Sequence, residues 1–243
     1  LFAACGYLVA ALFASALKKK EIGPLDHEIK NASFIQGFIE MREGLAFLRK
    51  HVDAARGIAA VAVHRGGITA LTLIALLLER NTFNDPADSE AGLAGLSFTL
   101  TIAAVGFVVG AAIAPFGVRK IGRHRWMRLA LIASTAGPIF IIFIRTPLTL
   151  ICAAFITALF GQSLKVTNDA LVQSKIDDIY RGRVFAVYDV VVNSAIVSGA
   201  LFAALLLPDT GDSYLVPLLV ALIYLVSGLR LLRSRVFFAP PIQ

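Results

Sequence analysis

The stretch GQSLKVTNDALVQSKIDDIYRGRVFAVYDVVVN, residues 161–193, decides how the rest of the chain is read. It holds two apolar segments joined by the short charged loop 175–183. In the first segment Gln162, Lys165, Asp169 and Gln173 recur at intervals of three or four, which on a helix makes one polar stripe. Asp189 and Asn193, four apart, repeat the device in the second. The surrounding residues are too apolar for anything but a bilayer or a large core, and an ionisable group at the centre of a bilayer costs about 2.5–3.5 kcal/mol on insertion scales. Such groups persist where they face a protein interior or a water-filled path.

The composition points the same way. Of 243 residues 58% are hydrophobic and the mean hydropathy is +0.78, above the roughly 45–50% apolar content of soluble domains. A formal charge of +7 would suit nucleic acid if the basic residues lined a solvated face. They sit instead in the gaps between apolar runs, where a membrane surface accounts for them, so no nucleic-acid partner is expected. Cys5 and Cys152 lie in apolar runs without metal-ligand companions and read as small buried hydrophobes. His27, His51, His64 and His124 are scattered over different elements, and no phosphate cradle, metal-binding helix or serine elbow occurs. Neither an enzyme nor a metal or other cofactor is expected.

Six apolar spans are predicted near 54–78, 91–116, 127–144, 148–173, 184–207 and 214–232. The gaps alternate in charge: Glu79, Asp85, Asp88 and Glu90 follow the first span, and Arg119, Lys120, Arg123, Arg125 and Arg128 follow the second. Nineteen of the 23 Lys and Arg residues fall in 18–56, 119–128, 175–183 and 230–235. By the positive-inside rule those gaps and the C-terminal tail 233–243 are cytoplasmic, and 80–90, 145–147 and 208–213 are outside. Ahead of the six spans, 1–17 reads as the end of a transmembrane helix, stopped by Lys18, Lys19 and Lys20, and 18–53 as a cytoplasmic linker. Within the linker Ser33 can cap an amphipathic helix carrying Phe34, Phe38, Met41, Leu45 and Leu48 on one face, suited to lying along the membrane surface. Small residues at every fourth position, Gly106, Gly110 and Ala114 and then Ala195, Gly199 and Ala203, predict close helix packing. Trp126 and Tyr180, beside basic loops, read as interfacial anchors.

Three passages carry a family resemblance: REGLAFLRKH (42–51) leading into a span, GAAIAPFGVRKIGRHR (110–125) and QSKIDDIYRGRVFAVYD (173–189). With them, most of the chain resembles the C-terminal half of a Major Facilitator Superfamily transporter. The last passage is similar to a branch labelled as actinobacterial drug or metabolite exporters. The middle one departs from the family's loop motif, with Ala114-Pro115 where an acidic residue is common. The resemblance implies an all-α membrane protein in which the end of the sixth of twelve helices and an amphipathic linker helix precede a six-helix C-terminal bundle, 54–232. It also implies a partner, the N-terminal half of the same transporter, absent from this chain.

The implied activity is alternating-access transport of a small molecule across the plasma membrane, as efflux with proton coupling. On the two helices that would line the central cavity lie His64, Arg65, Thr69 and Thr72, and Gln162, Lys165, Asn168 and Asp169, candidate contacts for substrate or coupling ion. Arg119, Arg123, Arg181, Arg183, Asp189 and Asn193 are candidates for a cytoplasmic gate, Asp189 standing roughly 9 Å along its helix from Arg183. Plainer roles stand beside these. Lys165 and Asp169 also fit a structural pair one turn apart, Asp169 also fits a pair with Arg119 or Arg123, and Arg65 also fits snorkelling to a membrane edge. A membrane sensor or scaffold that kept the fold without transporting is the alternative function, and the intramembrane charges count against it.

The charge segregation gives a topological expectation. In a background with Cys5 and Cys152 replaced, a cysteine introduced at position 85 should react with an impermeant thiol reagent added to intact cells, and one at position 120 should not. The reverse pattern would invert the topology.

Overall fold

The structure is a computed structural model and describes residues 11–12 and 34–232. Apart from residues 11–12, the helix end expected at 1–17 lies outside the described residues, as do the linker before Phe34 and the tail 233–243. Each expected span is occupied by helix. In chain order the elements are α1 (Phe34–Lys50), α2 (Val52–Leu78) running on through a π-helical turn (Glu79–Phe83), α3 (Ser89–Ile121), α4 (Arg123–Ala133), α5 (Ala136–Phe143), α6 (Pro147–Lys175), α7 (Asp178–Leu206) and α8 (Leu215–Arg230). Among the described residues five helical stretches are long and apolar enough to cross a membrane, and α8 is a shorter apolar helix of 16 residues.

Local chemistry explains the boundaries. Asp88 caps α3 by accepting from the Ala91 amide at 3.0 Å, and Thr146 caps α6 with Pro147 in its first turn. Gly122, at φ +84°, makes the turn between α3 and α4 that an L side chain would resist. The third span is broken at Ser134 and Thr135. Pro138 has no N–H to offer the Ser134 carbonyl, and the two hydroxyls bond back to Ala130 O and Ile132 O instead.

Two backbone seams hold the bundle together. A Cβ on Gly106 would lie 2.6 Å from Phe155 O, and one on Gly110 would collide with the Leu159 carbonyl, so α3 and α6 meet main chain to main chain. Gly66 and Gly199 do the same for α2 and α7, with Ala203 fully buried beside them. The four-residue repeats predicted this packing, and the absence of a hydrophobic drive between helices in lipid is why closeness matters there. α8 closes the bundle with fully buried Tyr224, whose hydroxyl donates to His64 O at 2.9 Å, and with Gly228 against Ile132.

The gaps sort onto two ends. At one, Asn81 and Thr82 donate to the carbonyls of Asp209 and Thr210, and Arg145 pairs with Asp212 while lying over the Tyr214 ring. At the other, Arg123 donates to Ser174 Oγ at 2.8 Å, Lys175 pairs with Asp53 at 3.6 Å, and Arg183 pairs with Glu43 at 2.9 Å. The three gaps read as external therefore share one end, and the basic gaps share the other.

On α1 the expected apolar face divides: Leu45 stays exposed, while Gly44 and Leu48 are buried and Phe47 stacks on Tyr180 at 4.6 Å, because the turn around Arg183 approaches α1 from that side. Two expectations about individual residues fail. Trp126 is no free-standing anchor: it packs on Gly117 and donates to Ser163 Oγ at 2.8 Å. Cys152 is exposed on α6, since the bundle packs the neighbouring Ala153 face instead, and Cys5 lies outside the described residues.

The seams make opposite predictions for two alanine substitutions. Helix propensity alone favours Ala over Gly by up to about 1 kcal/mol. Gly182 has nothing within 4 Å of an added Cβ, so Gly182→Ala should be neutral or stabilising in thermal unfolding in detergent. Gly110→Ala should instead cost about 1–3 kcal/mol, because its methyl meets a carbonyl that cannot move alone.

Candidate functional site

The polar residues of α2, α6 and α7 converge inside an otherwise apolar bundle. On α6 the stripe Gln162, Lys165 and Asp169 is half-buried, and Gln173, beyond it, is exposed. Arg65 on α2 donates to Gln162 Oε1 at 3.1 Å, and its guanidinium lies 5.4 Å from the centre of the Phe107 ring of α3. Lys165 pairs with Asp169 at 2.6 Å within α6, and Tyr188 of α7 donates to the other oxygen of Asp169 at 2.9 Å. Asp169 is thus held by the partner one turn away and by a phenol, not by Arg119 or Arg123. Among the described residues Arg65 makes no ion pair, so this cluster keeps one uncompensated positive charge.

Beside the cluster is a cavity of about 320 Å³, at the small end of ligand-binding pockets. Thr69, Thr72, Thr99, Phe107, Leu150 and Thr157 are among its lining residues, and the rest are almost all aliphatic. Thr69 and Thr72 spend their hydroxyls on the carbonyls of Arg65 and Ile68, one turn back in α2, so they present mostly methyl groups. Thr157 keeps a buried hydroxyl with no partner among the described residues.

Two candidates sit apart from this opening. His64 is 1% exposed, stacked on Tyr224 at 5.1 Å, with Nε2 3.2 Å from Thr157 O, and the Gly161 main chain fits against its ring. It ties α2 to α6 and α8. Asn168 is fully buried, its carboxamide wedged against Gly57 of α2.

The profile of the Major Facilitator Superfamily matches residues 50–242. The chain belongs to the Major Facilitator Superfamily. It is 28% identical over 219 residues, 89% of its own length, to uncharacterised MFS-type transporters of Mycobacterium bovis and Mycobacterium tuberculosis. It spans about half of each, 49% of their length. No solved structure matches. The chain is therefore an all-α, multi-pass membrane protein of a superfamily of transporters, corresponding to a C-terminal half.

The residues expected to form a cytoplasmic gate in this superfamily member do not form one cluster here. Arg183 takes Glu43, Arg181 takes Asp178 at 2.6 Å and the Gln173 carbonyl, and Arg123 takes Ser174. Arg119 folds over the exposed Phe116 ring at 4.8 Å. Asp189 and Asn193 share the exposed face of α7, where Asn193 donates back to Asp189 O. Asp189 makes no ion pair among the described residues.

Sequence reasoning missed Glu79. By hydropathy it only follows the first apolar span, yet the helix continues past it through the π turn, a feature common at functional sites. Its side chain is 3% exposed, against Gly95 of α3, with Thr99 Oγ1 and Asn84 Nδ2 each 3.4 Å from a carboxylate oxygen. The signal was available: no Gly or Pro interrupts the chain between Leu78 and Asn84, so nothing required the helix to stop at the end of the apolar run.

The placement of His64 predicts a structural phenotype. His64→Phe keeps the stack on Tyr224 and loses the bond to Thr157 O, so it should cost about 1 kcal/mol in thermal unfolding. Ligand affinity should stay near that of the unsubstituted protein.

Proposed function

We propose that the chain is the C-terminal half of a secondary transporter that moves a small molecule by alternating access, as an exporter coupled to protons. The observation that carries this reading is the cluster of Arg65 with Gln162 and of Lys165 with Asp169 and Tyr188. It joins three helices in the middle of an apolar bundle, where each charge is expensive to keep. A scaffold would have no use for that cost, whereas a binding site near the midplane between two halves needs such groups.

The outer face of α7 supports a second half as partner. Only 6% of its apolar window is buried, and Asp189, Asn193, Ser194 and Ser198 recur along that face. Polar groups at that spacing are poorly suited to lipid and well suited to a facing bundle or an aqueous path. With the basic gaps gathered at one end, we place that end and the C-terminus in the cytoplasm and the protein in the plasma membrane.

Asp169 is the candidate proton carrier. When substrate or a conformational change draws Lys165 away, the carboxyl takes up a proton, and when the pair re-forms it releases it. The discriminating measurement scores substrate-driven proton movement and substrate exchange separately in proteoliposomes. Asp169→Asn should lose coupled flux by tenfold or more and retain exchange, and Lys165→Ala should impair both. Normal coupling in Asp169→Asn, with loss in Glu79→Gln, would transfer the role to the buried carboxyl at the other end of the bundle. Residues 1–243 expressed alone should insert in the membrane and give no flux, and co-expression with an N-terminal half should restore it. Flux by 1–243 alone, without dimerisation, would overturn the two-half reading.

A further inference from the structure

We infer that the ligand of this site is a lipophilic organic acid, its hydrocarbon part in the cavity between α2, α3 and α6 and its anionic head on Arg65. Two observations converge on that chemistry. The cavity wall offers almost nothing polar: Thr69 and Thr72 have turned their hydroxyls to their own helix, and Leu150, Ala153 and Ile141 are buried behind them. Such a lining rewards apolar area and gives a polar solute nothing to bond.

At the edge of this apolar space stands a cation without an anion. Phe107 lines the cavity, and the Arg65 guanidinium lies over its ring. Arg65 has a neutral carboxamide as its hydrogen-bond partner, while the nearby carboxylate of Asp169 is already taken by Lys165 and Tyr188. A guanidinium binds carboxylates in pairs of parallel hydrogen bonds, and only one of its nitrogens is engaged with Gln162. An incoming carboxylate or similar anion would therefore offset the charge the cluster leaves over.

A cationic amphipath would meet the like charge of Arg65 beside Phe107, and the one nearby carboxylate, Asp169, is already held by Lys165 and Tyr188. A sugar or other polar solute would leave its hydroxyl groups unbonded against Ile68, Leu71 and Ala153. The lipophilic acid is the class that satisfies both ends. It rests on the transport reading for its purpose, while binding itself can be measured without flux.

The test uses photoactivatable ligands on the purified protein in detergent. One is a long-chain alkyl carboxylate, one a compact aromatic carboxylate, and each is compared with its methyl ester. The acids should label peptides of α2, α3 and α6 with an affinity about tenfold or more above the esters. Arg65→Gln should lower acid affinity by about the same factor and leave ester labelling unchanged, which also reports that the cavity has kept its fold. Arg65→Lys should restore part of the loss. A stronger alkyl acid would indicate a ligand drawn from the bilayer, and a stronger aromatic acid one drawn from water. Equal labelling by acid and ester, acid labelling indifferent to Arg65→Gln, or no labelling by either acid would overturn the inference. Labelling that depends on Arg65 in a protein without substrate flux would keep this inference and remove the transport reading. Flux of a cation or neutral solute with no acid labelling would do the reverse.

Discussion

Main chain meets main chain along two helix pairs, and the rest of the bundle is arranged around those contacts. Gly106 and Gly110 let α3 lie on α6, and Gly66 and Gly199 let α2 lie on α7. In water a bundle of this size would draw its cohesion from apolar burial. In lipid the solvent is as apolar as the side chains, and cohesion has to come from dispersion between surfaces that fit closely. That explains why the most intimate contacts fall at the smallest residues, and why large apolar groups such as Phe98, Val108, Leu201 and Leu205 remain on the outside without penalty.

Polar chemistry is then used sparingly and for position. Several groups drawn into the bundle answer a specific main-chain or side-chain group: Trp126 to Ser163, Tyr224 to the His64 carbonyl, Tyr188 to Asp169. The buried Thr157 hydroxyl has no partner among the described residues, and among them Arg65 has a carboxamide and a ring face in place of an anion. The linker helix follows the same rule at the basic end, where Glu43 and Phe47 of α1 receive Arg183 and Tyr180 of the segment that begins α7.

What could be read from the sequence was whatever depends on local periodicity. The spans, the polar stripe of Gln162, Lys165 and Asp169, the amphipathic character of residues 34–50 and the four-residue repeats of small residues all follow from spacing along one helix. What could not be read depends on which neighbour a face meets. His64 has the same local signature as Arg65 one residue later, yet a rotation of one residue turns it into the α6 and α8 interface instead of the cavity rim. Glu79 was hidden because hydropathy marks the end of an apolar run and not the end of a helix. Arg183 chose Glu43, 140 positions earlier, over nearby Asp189, a choice that no window of sequence contains.

The two glycine seams also divide the half-bundle mechanically. The α3–α6 and α2–α7 pairs each behave as a riveted plate, since neither can slide without driving a carbonyl into a Cα. Between the plates the joint is made of side chains: Arg65 reaching from α2 to Gln162, Tyr188 reaching from α7 to Asp169, and the buried His64 and Asn168 set tightly against Gly161 and Gly57. Arg65 and Tyr188 are the long, rotatable tethers of that joint, and His64 and Asn168 are its fixed points. Any displacement of one plate against the other has to pass through this layer, so the groups best placed to sense a ligand stand on the plane along which the two pairs meet.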